Sequence, residues 1–200
     1  MHTVKLSHKN GLLYAVTTGY AHASQIMMML FLHRFTINVS EGCSIEAKAY
    51  GGNGHSDVKY GYLKLNGVFV WQASWIGEYP NDRGVNTFVI DTLNCSVKES
   101  RTYDTYADSV AASRLRGYIE GLNEGTVLVG VSCDEASNHL DRAEAILSEL
   151  GADVSDVGFR GAWAFLAVIG DPSRTIRDKE LTEASAMERQ PIITAYLPRT

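Results

Sequence analysis

Long apolar stretches are scarce in this 200-residue chain. The longest, residues 26–32, reads IMMMLFL and stops at His33 and Arg34. Seven residues fall far short of the about 20 that a bilayer-spanning helix needs, so no transmembrane span is expected. The run has the length of a signal-peptide core. The polar residues before it and the missing small-residue cleavage site after it suit an ordinary buried strand equally. Basic clusters are also missing. The net charge is −5, and the densest group, Arg174, Arg177 and Lys179, is interrupted by Asp178 and Glu180. A nucleic-acid surface needs grouped Lys and Arg, so that class of partner is excluded. Cysteine is sparse, with Cys43, Cys95 and Cys133 only. An odd count leaves one thiol free or paired between chains, and selects no particular pairing.

Signatures of catalysis and cofactors are lacking too. The histidines are His2, His8, His22, His33, His55 and His139, and none falls in His-x-His or His-Glu-x-x-His spacing. None joins a cysteine at zinc spacing either, so neither a metal nor another cofactor is expected. No Gly-x-Ser-x-Gly elbow is found. Residues 51–54, GGNG, lack the Gly-Lys-Ser/Thr ending of a phosphate loop and read as a turn. Asp134 and Glu135 are adjacent, so their side chains diverge, whereas paired acid and base carboxylates converge across a cleft. These absences point away from an enzyme.

What is there is an ordered series of short elements. From Ser44 the pattern is regular, with a strand over 45–50 and a loop of residues that accept positive φ. YGYLKLNGVFVW, residues 60–71, is a β-hairpin around Asn66-Gly67, the strongest short hairpin signal. Residues 85–91 and 97–103 form a second hairpin with a longer turn. Asp104 or Thr105 then offers an N-cap for a helix whose apolar face holds Val110, Leu115, Tyr118, Ile119 and Leu122. Asn123-Glu124-Gly125 stops it. Residues 126–132, TVLVGVS, read as a strand covered on both faces. A second helix sets Leu140, Ala143, Leu147 and Leu150 on one side and is capped by Gly151. Residues 162–169 form another buried strand. Residues 172–189 are polar and read as a loop with a short helix, before a last strand over 192–197. Hairpins followed by strand–helix units give an α/β chain of the α+β type, with two small, mostly antiparallel sheets packed with outer helices.

The order RGVNTFVID, helix, EGTVLVGVSCDEASNHL, helix, VGFRGAWAFLAVIG over residues 83–170 resembles the ILEI/PANDER-type domain, the interleukin-like EMT inducer domain. The resemblance extends over about residues 44–198 and leaves residues 1–43 unassigned, as a leader or an extra strand. Such domains occur in cytokine-like secreted proteins, in the stem of an O-mannose N-acetylglucosaminyltransferase and in cell-surface hyaluronan-processing proteins. The resemblance therefore implies a secreted or lumenal location and a compact β-β-α fold. This chain lacks the larger disulfide set of the cytokine-like members, so it looks more like the module form. The sequons at Asn38 and Asn94 fit a lumenal protein.

Two constellations carry candidate chemistry. Asp134 follows a buried strand, where either it or Ser137 could cap the next helix. Resemblance to the transferase stem implies instead that it holds a sugar. In Gly158-Phe159-Arg160-Gly161-Ala162-Trp163, the family pattern is G-[FWY]-R-D-x-W. Arg160 either clamps sugar hydroxyls or braces the turn by pairing with Asp134 or Asp104. Gly161 departs from the usual acidic residue. Phe159 and Trp163 would supply shape, although Trp163 suits the core better, and Trp71 and Trp75 are weaker aromatic candidates. The expectation is a non-enzymatic, lectin-like module with a glycan or glycoprotein ligand at Asp134, Arg160, Phe159 and Trp163. The alternative is a cytokine-like protein acting through a cell-surface receptor.

Overall fold

The computed structural model describes residues 4–9, 12–17, 42–52, 61–73, 75–76, 79–80 and 82–199. They belong to two compact units, Met1–Val39 and Ser40–Thr200. In the first, β1 (Val4–Lys9) and β2 (Leu12–Thr17) pair as an antiparallel hairpin. The apolar run at 26–32 and the sequon at Asn38 lie outside the described residues.

The second unit contains two main sheets. The smaller has β3 (Gly42–Lys48), β5 (Tyr62–Leu65), β6 (Val68–Gln72) and β14 (Ile192–Pro198), in the order β14-β3-β5-β6. The β5–β6 turn forms as expected, with Asn66 at φ 49° and Gly67 at φ 78°. Positive φ at both central residues matches the twist of the flanking strands. The larger sheet has β9 (Gly84–Asp91), β10 (Ser96–Tyr103), β11 (Val127–Asp134), β12 (Ala162–Val168) and β13 (Asp171–Glu180), in the order β10-β9-β11-β12-β13. All these neighbours run antiparallel. The short β4 (Tyr50–Gly51) pairs parallel with the last two residues of β11. A two-strand ribbon joins β7 (Trp75–Ile76) to β8 (Tyr79–Pro80).

Alternation along the central strands divides the core in two. Val85, Leu128, Trp163 and Phe165 face a cluster that holds α1 (Ala111–Glu120) and α2 (Asp141–Glu149). Phe88, Val129, Val131, Ala164 and Leu166 face Ile45, Ala47, Leu63 and Ile193 of the smaller sheet. Helices, large sheet and small sheet thus form three layers, each hiding an apolar face against the next. Cys43 of β3 is disulfide-bonded to Cys95 in the β9–β10 turn, with Cα atoms 5.1 Å apart, so a covalent link ties the sheets together. Cys133 is free and buried.

Several expectations need correction. Residues 171–180 are not a loop but β13, a ten-residue strand. It is an edge strand, and its mostly polar side chains, none of them fully buried, with Pro172 near its start are what an edge accepts. The short helix follows as α3 (Glu183–Glu188), capped by the Thr182 hydroxyl. Neither Asp104 nor Thr105 caps α1, which begins six residues beyond Thr105. Asp104 instead accepts the Ala107 N–H in an intervening turn, and the Asp108 carboxylate takes the Val110 N–H. Val110 is 46% exposed; Ala111 and Ala112 take the buried positions beside Leu115 and Ile119. The second helix follows expectation. Gly151, at φ 79°, closes it with Ala152 N–H bonding back to the Leu147 carbonyl.

Candidate functional site

At one end of the large sheet, charged residues follow one another in strand order. Asp104 follows β10, Arg83 precedes β9, Asp134 ends β11, Arg160 precedes β12 and Glu183 opens the helix after β13. The signs alternate along this rim. Arg83 donates to both carboxylate oxygens of Asp104, at 3.0 and 2.7 Å. Arg160 Nη1 donates to Glu183 at 3.1 Å, and its Nε lies 4.0 Å from Asp134. Gly84 permits the first pairing. It has φ 95°, and a Cβ there would lie 2.1 Å from the Tyr103 carbonyl, so the chain passes close beside the end of β10.

Asp134 stands at the centre of the row in a left-handed backbone conformation, φ 59°. Its side chain is 12% exposed. Burial raises its carboxyl above the ordinary range, against the opposing pull of the Arg160 and Arg83 guanidiniums. Asp104 shifts the other way. Burial would raise it, but hydrogen bonds from Arg83 and the Ala107 N–H outweigh that and lower it. Among the described residues no group donates a hydrogen bond to Asp134, so a partly buried acceptor keeps open lone pairs.

The residue that organises the site is Glu135, which from the sequence is considered only as a diverging neighbour of Asp134. Glu135, 1% exposed, accepts from Ser137 N–H at 2.5 Å, Ser137 Oγ at 2.7 Å and Asn138 N–H at 3.1 Å. Its other oxygen accepts the Arg160 N–H. Neither Asp134 nor Ser137 caps α2, whose N-cap is Leu140 without a side-chain bond. The 104–108 loop is tied to the same region. Thr105 Oγ1 donates to the Ala136 carbonyl at 2.8 Å and Asn138 Nδ2 to the Tyr106 carbonyl at 2.9 Å. An acidic residue followed by Ser and Asn at a strand end is the signal that could have found Glu135, since such carboxylates gather turn N–H groups.

Phe159 is 56% exposed beside the row, with the Arg160 guanidinium 5.2 Å from its ring centroid. Tyr106, also exposed, has the Arg83 guanidinium 4.6 Å from its ring. Trp163 does not join them. It is 2% exposed and stacks on Phe165 at 5.7 Å beneath the helices, because odd-numbered residues of β12 face that layer. It is core, not a ligand contact. Trp71 also packs, 5.0 Å from Phe88. A groove of about 570 Å³ lies elsewhere, lined by Arg101, Arg114 and Tyr118.

Residues 83–171 match the family described as Interleukin-like EMT inducer. This stretch is an ILEI domain. It holds Arg83, Asp104, Asp134, Phe159 and Arg160, whereas Glu183 lies beyond it. The chain is 33% identical over 114 residues to the human cell migration-inducing and hyaluronan-binding protein, and 32% identical to the mouse protein of that name. It is 28% identical over 121 residues to a cell surface hyaluronidase of Danio rerio. Each match covers 56% of this chain but only 8%, 8% and 9% of those relatives, so the chain spans a small part of each relative's length.

Proposed function

We propose that this chain is a non-enzymatic, secreted or lumenal recognition module that binds carbohydrate along the alternating row. In this reading Asp134 accepts hydrogen bonds from sugar hydroxyls, Arg160 donates to them, and Phe159 covers a ring face. The observation that carries it is the Asp134 carboxylate, partly buried and without a hydrogen-bond donor among the described residues, in the field of the Arg160 and Arg83 guanidiniums. A partly buried acceptor with no protein donor is open to the hydroxyl of a ligand or to water. The names of the relatives, which concern hyaluronan, support a carbohydrate as the ligand class. The disulfide supports an oxidising compartment. The proposed unit is residues 44–198 together with the disulfide-bonded Cys43.

Asn94 is proposed as a glycosylation acceptor. It is exposed in the β9–β10 turn, where its amide donates to Asp91 at 2.7 Å. That turn is at the far end of β9 from Arg83, so a glycan there leaves the row uncovered.

The test is a glycan array probed with the whole chain, its Asp134→Asn variant and its Arg160→Ala variant. Selective binding by the parent, lost in both variants while their circular dichroism stays native, supports the reading. A blank array for the parent sinks it and moves weight to the cytokine-like alternative.

A further inference from the structure

The outer face of the small sheet has no part in the site above. On β3 and β5 the residues Ile45, Ala47, Leu63 and Leu65 point into the core, so Glu46, Lys48, Tyr62 and Lys64 point outward. Register sets Lys48 opposite Tyr62 and Glu46 opposite Lys64. Phe69 of β6 lies opposite Lys64, and Tyr196 lies on β14 at the other edge. Phe69 and Tyr196 are three strand spacings apart, about 14 Å at about 4.8 Å each, and are also offset by two residues along the strands. The two residues are 50% and 57% exposed.

Charge on this face is unevenly satisfied. Lys64 pairs with Glu46 at 2.8 Å, and the Tyr62 hydroxyl donates to the same oxygen at 2.8 Å. The Lys64 ammonium also lies 4.6 Å from both the Tyr62 and Phe69 ring centroids, and those rings meet edge to face at 5.3 Å. Lys48 is different. Its ammonium lies 5.7 Å from the Tyr62 ring and has no carboxylate within ion-pair distance among the described residues. Burial first, and then the charge of Lys64, make it harder to keep protonated. An anion placed beside Lys48 would offset both effects.

We infer that this face binds an acidic saccharide, with Lys48 meeting the carboxylate of a uronate-type sugar and the exposed Phe69 ring receiving its C–H face. The half-exposed Phe69 ring, held in place by its edge-to-face contact with Tyr62, offers a face to the C–H groups of a sugar. The surface stands apart from the Asp134–Arg160 row, and the inference does not rest on that row binding anything.

The test titrates the whole chain with a glucuronate-containing oligosaccharide and with its carboxyl-reduced, neutral counterpart, by calorimetry. The acidic sugar is expected to bind at least about tenfold more tightly than the neutral one, the scale of one charge-assisted contact. Lys48→Ala should remove that preference, and Lys48→Arg should restore it. Phe69→Ala should weaken binding about threefold to tenfold. These are surface positions, and native circular dichroism checks each fold. Binding that persists in Arg160→Ala supports the inference even if the row proves inert. Equal affinity for the two sugars, no binding of the acidic one, or loss of its binding in a folded Arg160→Ala variant overturns it.

Discussion

The buried Glu135 carboxylate accepts the backbone N–H of Arg160. One side chain from the end of β11 therefore fixes the turn that presents the guanidinium, and its second oxygen holds the Ser137–Asn138 turn. Glu135→Ala should strand these donors and cost about 3 kcal/mol or more, the range for removing one partner of a buried charged hydrogen-bond group. Glu135→Gln should cost less, since it keeps one acceptor oxygen. Urea denaturation of the two variants measures the difference. An alanine variant as stable as the parent would show that the turns are held by other contacts.

Asp134 has a different relation to stability. Its carboxyl is raised in the folded protein by burial, so the folded state holds the proton more tightly than the unfolded chain does. Its contribution is most favourable below the ordinary carboxylate value and declines as pH rises through the raised folded value. Above that window the ionised group is a net cost. Asp134→Asn should therefore match or exceed the parent's stability at pH 7 while losing ligand binding. The advantage should shrink as the pH is lowered toward 3. Melting curves across that range test it, and a variant clearly less stable at pH 7 would show that pairing with the guanidiniums outweighs burial.

The Cys43–Cys95 bond closes a loop with a sequence separation of 52. Chain-entropy scaling for such a loop gives about 4 kcal/mol of stabilisation. The Cys43→Ala/Cys95→Ala double variant should lose stability on that order, as should the parent in reductant. Cys133 should resist alkylation until the protein unfolds, because it is fully buried. Labelling with a maleimide during a denaturant titration reads both effects.

Two glycines are set by space rather than by turn geometry. A Cβ at Gly130 would lie 2.2 Å from the Phe165 ring, its partner across β11 and β12. Gly130→Ala should cost about 1–3 kcal/mol through overpacking. A Cβ at Gly161 would lie 2.7 Å from the Glu180 carbonyl and 2.9 Å from that of Leu181. Restoring the acidic residue usual in this motif, Gly161→Asp, should therefore destabilise this chain. Thermal melts of both variants settle the matter, and an unchanged melting temperature would count against the crowding argument.

Local signals were legible where chemistry and position agreed. Asn66-Gly67 gave its hairpin, and Leu140, Ala143, Leu147 and Leu150 gave the buried face of α2. The polar segment that became β13 was hidden, because an edge strand has solvent on one side and needs no alternation of apolar residues. Asp134 and Arg160 were visible as candidates, but their neighbours were not. Arg83, Asp104 and Glu183 are separated in sequence and meet only because strand order brings five strand ends along one rim. Trp163 was ambiguous, since a tryptophan at a strand start serves either face. Its parity with Phe165 assigns it to the core.

The disulfide also governs how the chain answers force. A pull on residues 42 and 198 begins on adjacent strands, since Pro198 pairs with Gly42. Once β14 peels away, tension reaches Cys43 and crosses directly to Cys95. The enclosed segment, including β5 and β6, is bypassed and cannot be stretched out. About 180 Å of contour, at roughly 3.4 Å per residue, stays locked until the bond is reduced, so extensibility of this domain would follow the redox state of its surroundings.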